Sequence, residues 1–95
     1  MPVSIQVTIG SGARTQVSPH GINFKQMIVQ VNGSNSIRAG DSTVVAGAYG
    51  TGKGMLINSS GTYNIGPTVI QGGILSNWYF AGTANDVVDV TYEPA

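Results

Sequence analysis

His20 is the only histidine in the chain, so a Ser–His–Asp arrangement would need it as the base. It stands between Pro19 and Gly21, in a segment that reads as a turn, with no acid close in sequence. That context suits a solvated turn side chain better than a catalytic base. The acids are Asp41, Asp86, Asp89 and Glu93. Asp89 and Glu93 fall on one face of a strand, about 13 Å apart. That is too far for a joint metal site or a glycosidase carboxylate pair. Asp86 reads as a turn residue. Too few titratable groups remain for an acid–base site, so the chain reads as a non-enzyme without catalytic residues, cofactor or metal.

Gly47-Ala48-Tyr49-Gly50-Thr51-Gly52-Lys53-Gly54 comes close to a phosphate-binding loop. Both glycines and the lysine have the right spacing. The last position is Gly54, where a magnesium-binding hydroxyl is required. The next residues, Met-Leu-Ile-Asn, read as a strand, whereas a phosphate loop opens a helix. The stretch therefore reads as a surface loop suited to contacting a neighbour.

Trp78-Tyr79-Phe80 is the one aromatic cluster. Alternation puts Trp78 and Phe80 on one face, and rings of that size supply much of a small core. An exposed ring there would instead be a platform for sugars, the mark of a carbohydrate-binding module. Tyr49 and Tyr63, in or near loops, suit partner contacts, because tyrosine joins an apolar body to a polar tip. The residues assigned to partner contact are Pro19, His20, Tyr49, Thr51, Lys53 and Tyr63. Arg38 precedes Gly40-Asp41 at a strand end, where an Arg38–Asp41 pair and an Asp41 turn are expected.

The elements that must carry these residues are strands. Val, Ile and Thr number 28 of 95 residues, against two Leu and one Glu. β-branched residues favour strands, and good helix formers are scarce. Val3, Ile5, Val7 and Ile9 alternate with polar residues, which predicts a half-buried strand. Further strands are expected at 14–17, 23–31, 36–39, 42–46 and 67–71. Segments 55–58 and 62–65 read as one hairpin, and 77–81 and 87–93 as another. The sum is one all-β domain over residues 1–95, with about eight short strands. It is expected to be a small antiparallel sandwich or barrel, jelly-roll-like in outline.

Composition narrows the partners. Charged residues make 8% of the chain, the net charge is zero and cysteine is absent. Roughly 25% charged is usual for a globular domain. Arg14, Lys25, Arg38 and Lys53 are scattered, which argues against binding nucleic acid through phosphate neutralisation. No apolar run approaches the ~20 residues of a membrane helix, and the alternating N-terminus does not read as a signal peptide. A polar but uncharged surface suits a chain packed against copies or partners.

Ser36-Ile-Arg-Ala-Gly-Asp-Ser42 resembles a pattern in small virion accessory proteins of tailed bacteriophages. There a strand ending in Ile/Val-Arg-x-Gly-Asp precedes a glycine-rich middle. An aromatic strand, a short turn and a terminal strand ending near Tyr-Glu come after it. Asn77-Trp-Tyr-Phe-Ala-Gly-Thr-Ala-Asn-Asp-Val-Val-Asp-Val-Thr-Tyr-Glu93 occupies that place here. The resemblance spans roughly residues 24–93. It implies a β-sandwich that decorates or cements a capsid as an oligomer, often a trimer. The partner would be the major capsid protein or another virion protein, and the location the virion, after assembly in the host cytoplasm. A neck, tail or head-fibre position is the related alternative. The family has no catalytic residues to carry over.

Overall fold

The computed structural model describes residues 2–10, 14–47, 52–65 and 73–95. The strands are β1 (Val3–Thr8), β2 (Thr15–Gln16), β3 (Asn23–Val31), β4 (Ile37–Gly40), β5 (Met55–Ile57), β6 (Thr62–Ile65), β7 (Gly73–Ile74), β8 (Tyr79–Ala81) and β9 (Val87–Pro94). A 3-10 turn, Leu75–Asn77, precedes β8. The chain is all-β. One antiparallel sheet has the order β1-β9-β3-β6, with β7 also on β3, and the other has β2-β8-β4-β5. We call them the first and second sheet.

Side-chain alternation explains how the sheets pack. In β9, Val88, Val90 and Tyr92 are buried, while Asp89, Thr91 and Glu93 between them face outward. In β3, Met27, Val29 and Val31 do the same. Phe24 also points inward, though it lies three residues before Met27. A register shift between Phe24 and Gln26 resets the phase. These residues meet Ile37, Ala39, Ile57 and Phe80 from the second sheet in one hydrophobic core. Val17 and Leu75, next to the second sheet's strands, join the same core.

Two expected hairpins are absent, and the reason is topological. Segments 55–58 and 62–65 flank a real turn, with Ser60 at φ 59°. Yet β5 pairs with β4, whereas β6 pairs with β3 in the other sheet. Likewise β8 lies between β2 and β4, while β9 lies between β1 and β3. Six of the eight connections between the described strands pass from one sheet to the other. The segment 42–46 is not a strand. Asp41 takes the Thr43 amide at 2.8 Å and forms a turn, leaving only a bridge between Val45 and Lys53. The expected strand at 67–71 lies outside the described residues.

Candidate functional site

Arg38, on β4, is the residue that ties down the glycine-rich segment. Its register neighbours on β4's two sides are Leu56 and Ala81. It alternates with Ile37 and Ala39, which belong to the core, so its side chain lies on the outer face. It is nevertheless only 7% exposed. A guanidinium so covered needs acceptors. Nε donates to the Gly47 carbonyl at 3.0 Å and Nη1 to the Gly54 carbonyl at 2.8 Å. Close to those two points, Val45 and Lys53 exchange backbone bonds of 2.9 and 2.8 Å. One arginine thus staples both ends of a hairpin to the sheet.

Glycine is required at two positions of this staple. A Cβ at Gly52 would lie 2.6 Å from Arg38 Nε and from the Gly47 carbonyl oxygen. Gly54 has φ +113°, and its Cβ would lie 2.6 Å from a Val44 methyl. Gly52 therefore answers to the arginine, and Gly54 to Val44 and its own positive φ. Strand β5 begins directly after Gly54, where a phosphate loop would open a helix.

Arg38 was expected to pair with Asp41. The positive charge acting on Asp41 is instead Lys53, and its first partner is Thr43. The Thr43 hydroxyl donates at 2.5 Å and the Thr43 amide at 2.8 Å. These bonds, with the Lys53 charge, hold the Asp41 carboxyl below its ordinary range.

Beside the staple opens a cleft of about 450 Å³. Ala39, Val44, Met55 and Trp78 form its apolar part, and Asp41 and Lys53 bring opposite charges to it. A smaller depression of about 240 Å³ shares Gly40, Asp41 and Trp78. The aromatic pair is thus divided. Phe80 is fully buried, whereas Trp78 packs on the core and still lines both depressions.

The sequence-assigned contact residues fall on three separate elements. Lys53 is exposed on the stapled hairpin. Pro19 and His20 are exposed in the connection from β2 to β3. The His20 amide donates there to Ser18 Oγ at 3.2 Å. Tyr63 is 41% exposed on β6, at the edge of the first sheet. Tyr49 and Thr51 lie outside the described residues.

The acids have structural partners. Asp86 accepts from Asn35 Nδ2 at 3.1 Å, beside Gly33, where any Cβ would strike its carboxylate. Asp89 accepts from Asn32 and from Gln6 Nε2, the latter at 3.0 Å. These bonds lower its carboxyl below the ordinary value of 3.8, Asn32 contributing most. A carboxylate held lower in the folded state adds stability above the unfolded value. That contribution is lost as pH falls through the lowered folded value. Urea midpoints should therefore drop as pH falls below about 3.8, and Asp89→Asn should flatten that drop. An unchanged pH profile in the variant would refute the assignment. No group of three or more metal-ligating side chains occurs among the described residues.

Sequence reasoning also missed the edge strands. In the first sheet's outer face, Ser4, Thr91, Ile28 and Asn64 form one row, and Gln6, Asp89, Gln30 and Thr62 the next. Side-chain bonds cross it, from Ser4 to Thr91 at 3.2 Å and from Gln26 to Asn64 at 2.9 Å. The edge strands β1, β2, β5, β6 and β7 contain no charged residue. The strand charges, Lys25, Arg38, Asp89 and Glu93, all stand on the interior strands β3, β4 and β9.

No protein-family model and no curated protein matches the sequence. Among solved structures, the chain is similar to a protein from Bacillus endospore appendages, described as a novel family of disulfide-linked pili. The identity is 11%, the TM-score 0.44, and the match covers 100% of this chain and 87% of that one.

Proposed function

We propose that this chain is a non-enzymatic structural protein that works in many copies on a larger particle. The resemblance to phage virion accessory proteins suggests a capsid decoration or cement role, with the major capsid protein as partner. A neck, tail or head-fibre position is the variant of the same reading. The observation that carries it is the placement of charge. Proteins that must stay apart guard their sheet edges with charge or proline. Here the edge strands are uncharged and the few strand charges lie inside the sheets. The neutral net charge removes repulsion between copies.

In this reading the stapled hairpin is a docking element. Arg38 fixes its base before binding, so less ordering entropy opposes the contact. Weak contacts at each copy are multiplied across a particle. The test is mass in solution by light scattering, with and without purified particles of the source phage. An oligomer that co-sediments with particles is the expected result. Lys53→Ala should weaken co-sedimentation several-fold while leaving stability, measured by urea unfolding, within about 0.5 kcal/mol of the parent. A monomer that ignores the particles would end the reading.

Trp78 supports a second reading, a carbohydrate-binding module. Its ring borders both depressions, and Asp41 and Lys53 could meet hydroxyl groups. Sugar-dependent quenching of tryptophan fluorescence would favour it, with sugar binding by calorimetry abolished in Trp78→Ala. Trp78 is the only tryptophan, so the parent signal is unambiguous.

A further inference from the structure

We infer that β1 is the edge through which two copies join, by antiparallel pairing about a two-fold axis. This rests on the assembly reading above and adds the partner and the register. The argument starts from where the backbone groups of β1 point. In an antiparallel strand the N–H and C=O of one residue point to the same side, and alternate residues point to opposite sides. The Ile9 amide donates to the Asp86 carbonyl at 2.8 Å, on the β9 side. The register from Val3 to Thr8 is unbroken. Val3, Ile5 and Val7 therefore spend their backbone groups on β9. Ser4, Gln6 and Thr8 direct theirs to the open edge.

These three residues form a self-complementary set. With Gln6 opposite Gln6 of a second copy, Ser4 meets Thr8 and Thr8 meets Ser4. Every outward donor then finds an acceptor, one pair for each of the three positions. Neighbouring registers fail. A slip of one residue sets apolar Val3 against polar Thr8 and turns the wrong backbone groups inward. Centring on Ile5 sets Thr8 against Pro2, which has no N–H. Centring on Val7 sets Ser4 against Gly10, whose N–H already donates to Thr15 Oγ1 at 2.9 Å.

The side chains agree with the same register. On the core side, Val3 would face Ile9 and Ile5 would face Val7. Val3 is 38% exposed and Ile5 only partly buried in the single chain, so both have surface left to cover. The outer face would bring Ser, Gln and Thr together with no like charges. β1 is also the longest edge strand, six residues against four in β6, three in β5 and two in β2. The result is one continuous sheet across two copies, an isologous contact.

The chain has no cysteine, so a single introduced thiol reports the contact cleanly. Directly opposed, hydrogen-bonded residues have Cα atoms about 5.5 Å apart, inside the ~4.4–6.8 Å range of disulfides. Oxidised Gln6→Cys should run as a covalent dimer, and Thr62→Cys, on the other edge of the sheet, should not. Amide exchange at Ser4, Gln6 and Thr8 in the unmodified protein should slow at least about tenfold from dilute to concentrated solution. Two results overturn the inference but leave the assembly reading intact. One is a trimer or other oligomer whose residue 6 thiols stay unlinked. The other is a monomer that still binds particles. A monomer that binds nothing removes both.

Discussion

Phe24→Ala should lower stability by about 3–5 kcal/mol. A chain of this length has about 5–14 kcal/mol in total, so the variant should be close to unfolding at 37 °C. Phe24 is fully buried and is among the largest side chains of the core. It lies directly opposite Gly73 in the β3–β7 pair. A Cβ at Gly73 would come within 2.2 Å of the ring's Cζ and 2.5 Å of its Cε1. The ring therefore occupies the space that any side chain at 73 would need. Gly73→Ala should cost about 1–3 kcal/mol through overpacking. Adding Phe24→Leu to it should cost less than the two single changes summed, because the smaller side chain relieves the clash. Urea unfolding of the four proteins measures this cycle. Additive losses would show that ring and glycine do not meet.

Arg38→Met should cost about 2–3 kcal/mol, or roughly 8–24 °C in Tm. Methionine keeps the apolar stem but leaves the Gly47 and Gly54 carbonyls without the charged donor. Hydrogen bonds from a charged group contribute about 1.5–3 kcal/mol each. Both glycines are exposed, so water replaces part of the loss. Arg38→Lys should recover only a fraction. An ammonium is a point donor and does not reproduce the fork that reaches two carbonyls. The amides of Val45 and Lys53 report the hairpin separately from global stability. They should exchange faster in Arg38→Met even where the core amides stay protected. Unchanged protection at these two amides would mean the hairpin stands without its staple. If the hairpin docks on a particle, this variant should also lose co-sedimentation while still folded.

Much of the strand layout was legible because alternation is a local signal. Val3–Ile9, 23–31 and 87–93 each show it, and they became β1, β3 and β9. The pairing was less legible. Ser59-Ser60-Gly61 marks a true chain reversal, but a reversal does not state which sheet receives the next strand. The same holds for the connection around Asn85, which has φ 73°. Arg38 was hidden for another reason. Its partners are backbone carbonyls, which every residue carries, so no side-chain pattern announces them. The sheet edges were invisible until strand order was known. Only then does the absence of charge in β1, β5 and β6 differ from the absence of charge in the chain as a whole. Trp78 followed from alternation only in part. It packs on the core as alternation requires, but its position beside the cleft leaves it half-buried.

The place of β9 has a consequence for synthesis. It is made after the other eight described strands, yet it lies between β1 and β3 and holds both. Val3 faces Tyr92 across that ladder, close to the two extremes of the sequence. The first sheet therefore cannot close until β9 has been made. At about 5–20 residues per second, β1 waits several seconds with neither edge paired. Pairings between residues so distant in sequence also close slowly. During that interval, the chain's lack of charge offers little protection against wrong pairing between neighbouring nascent chains.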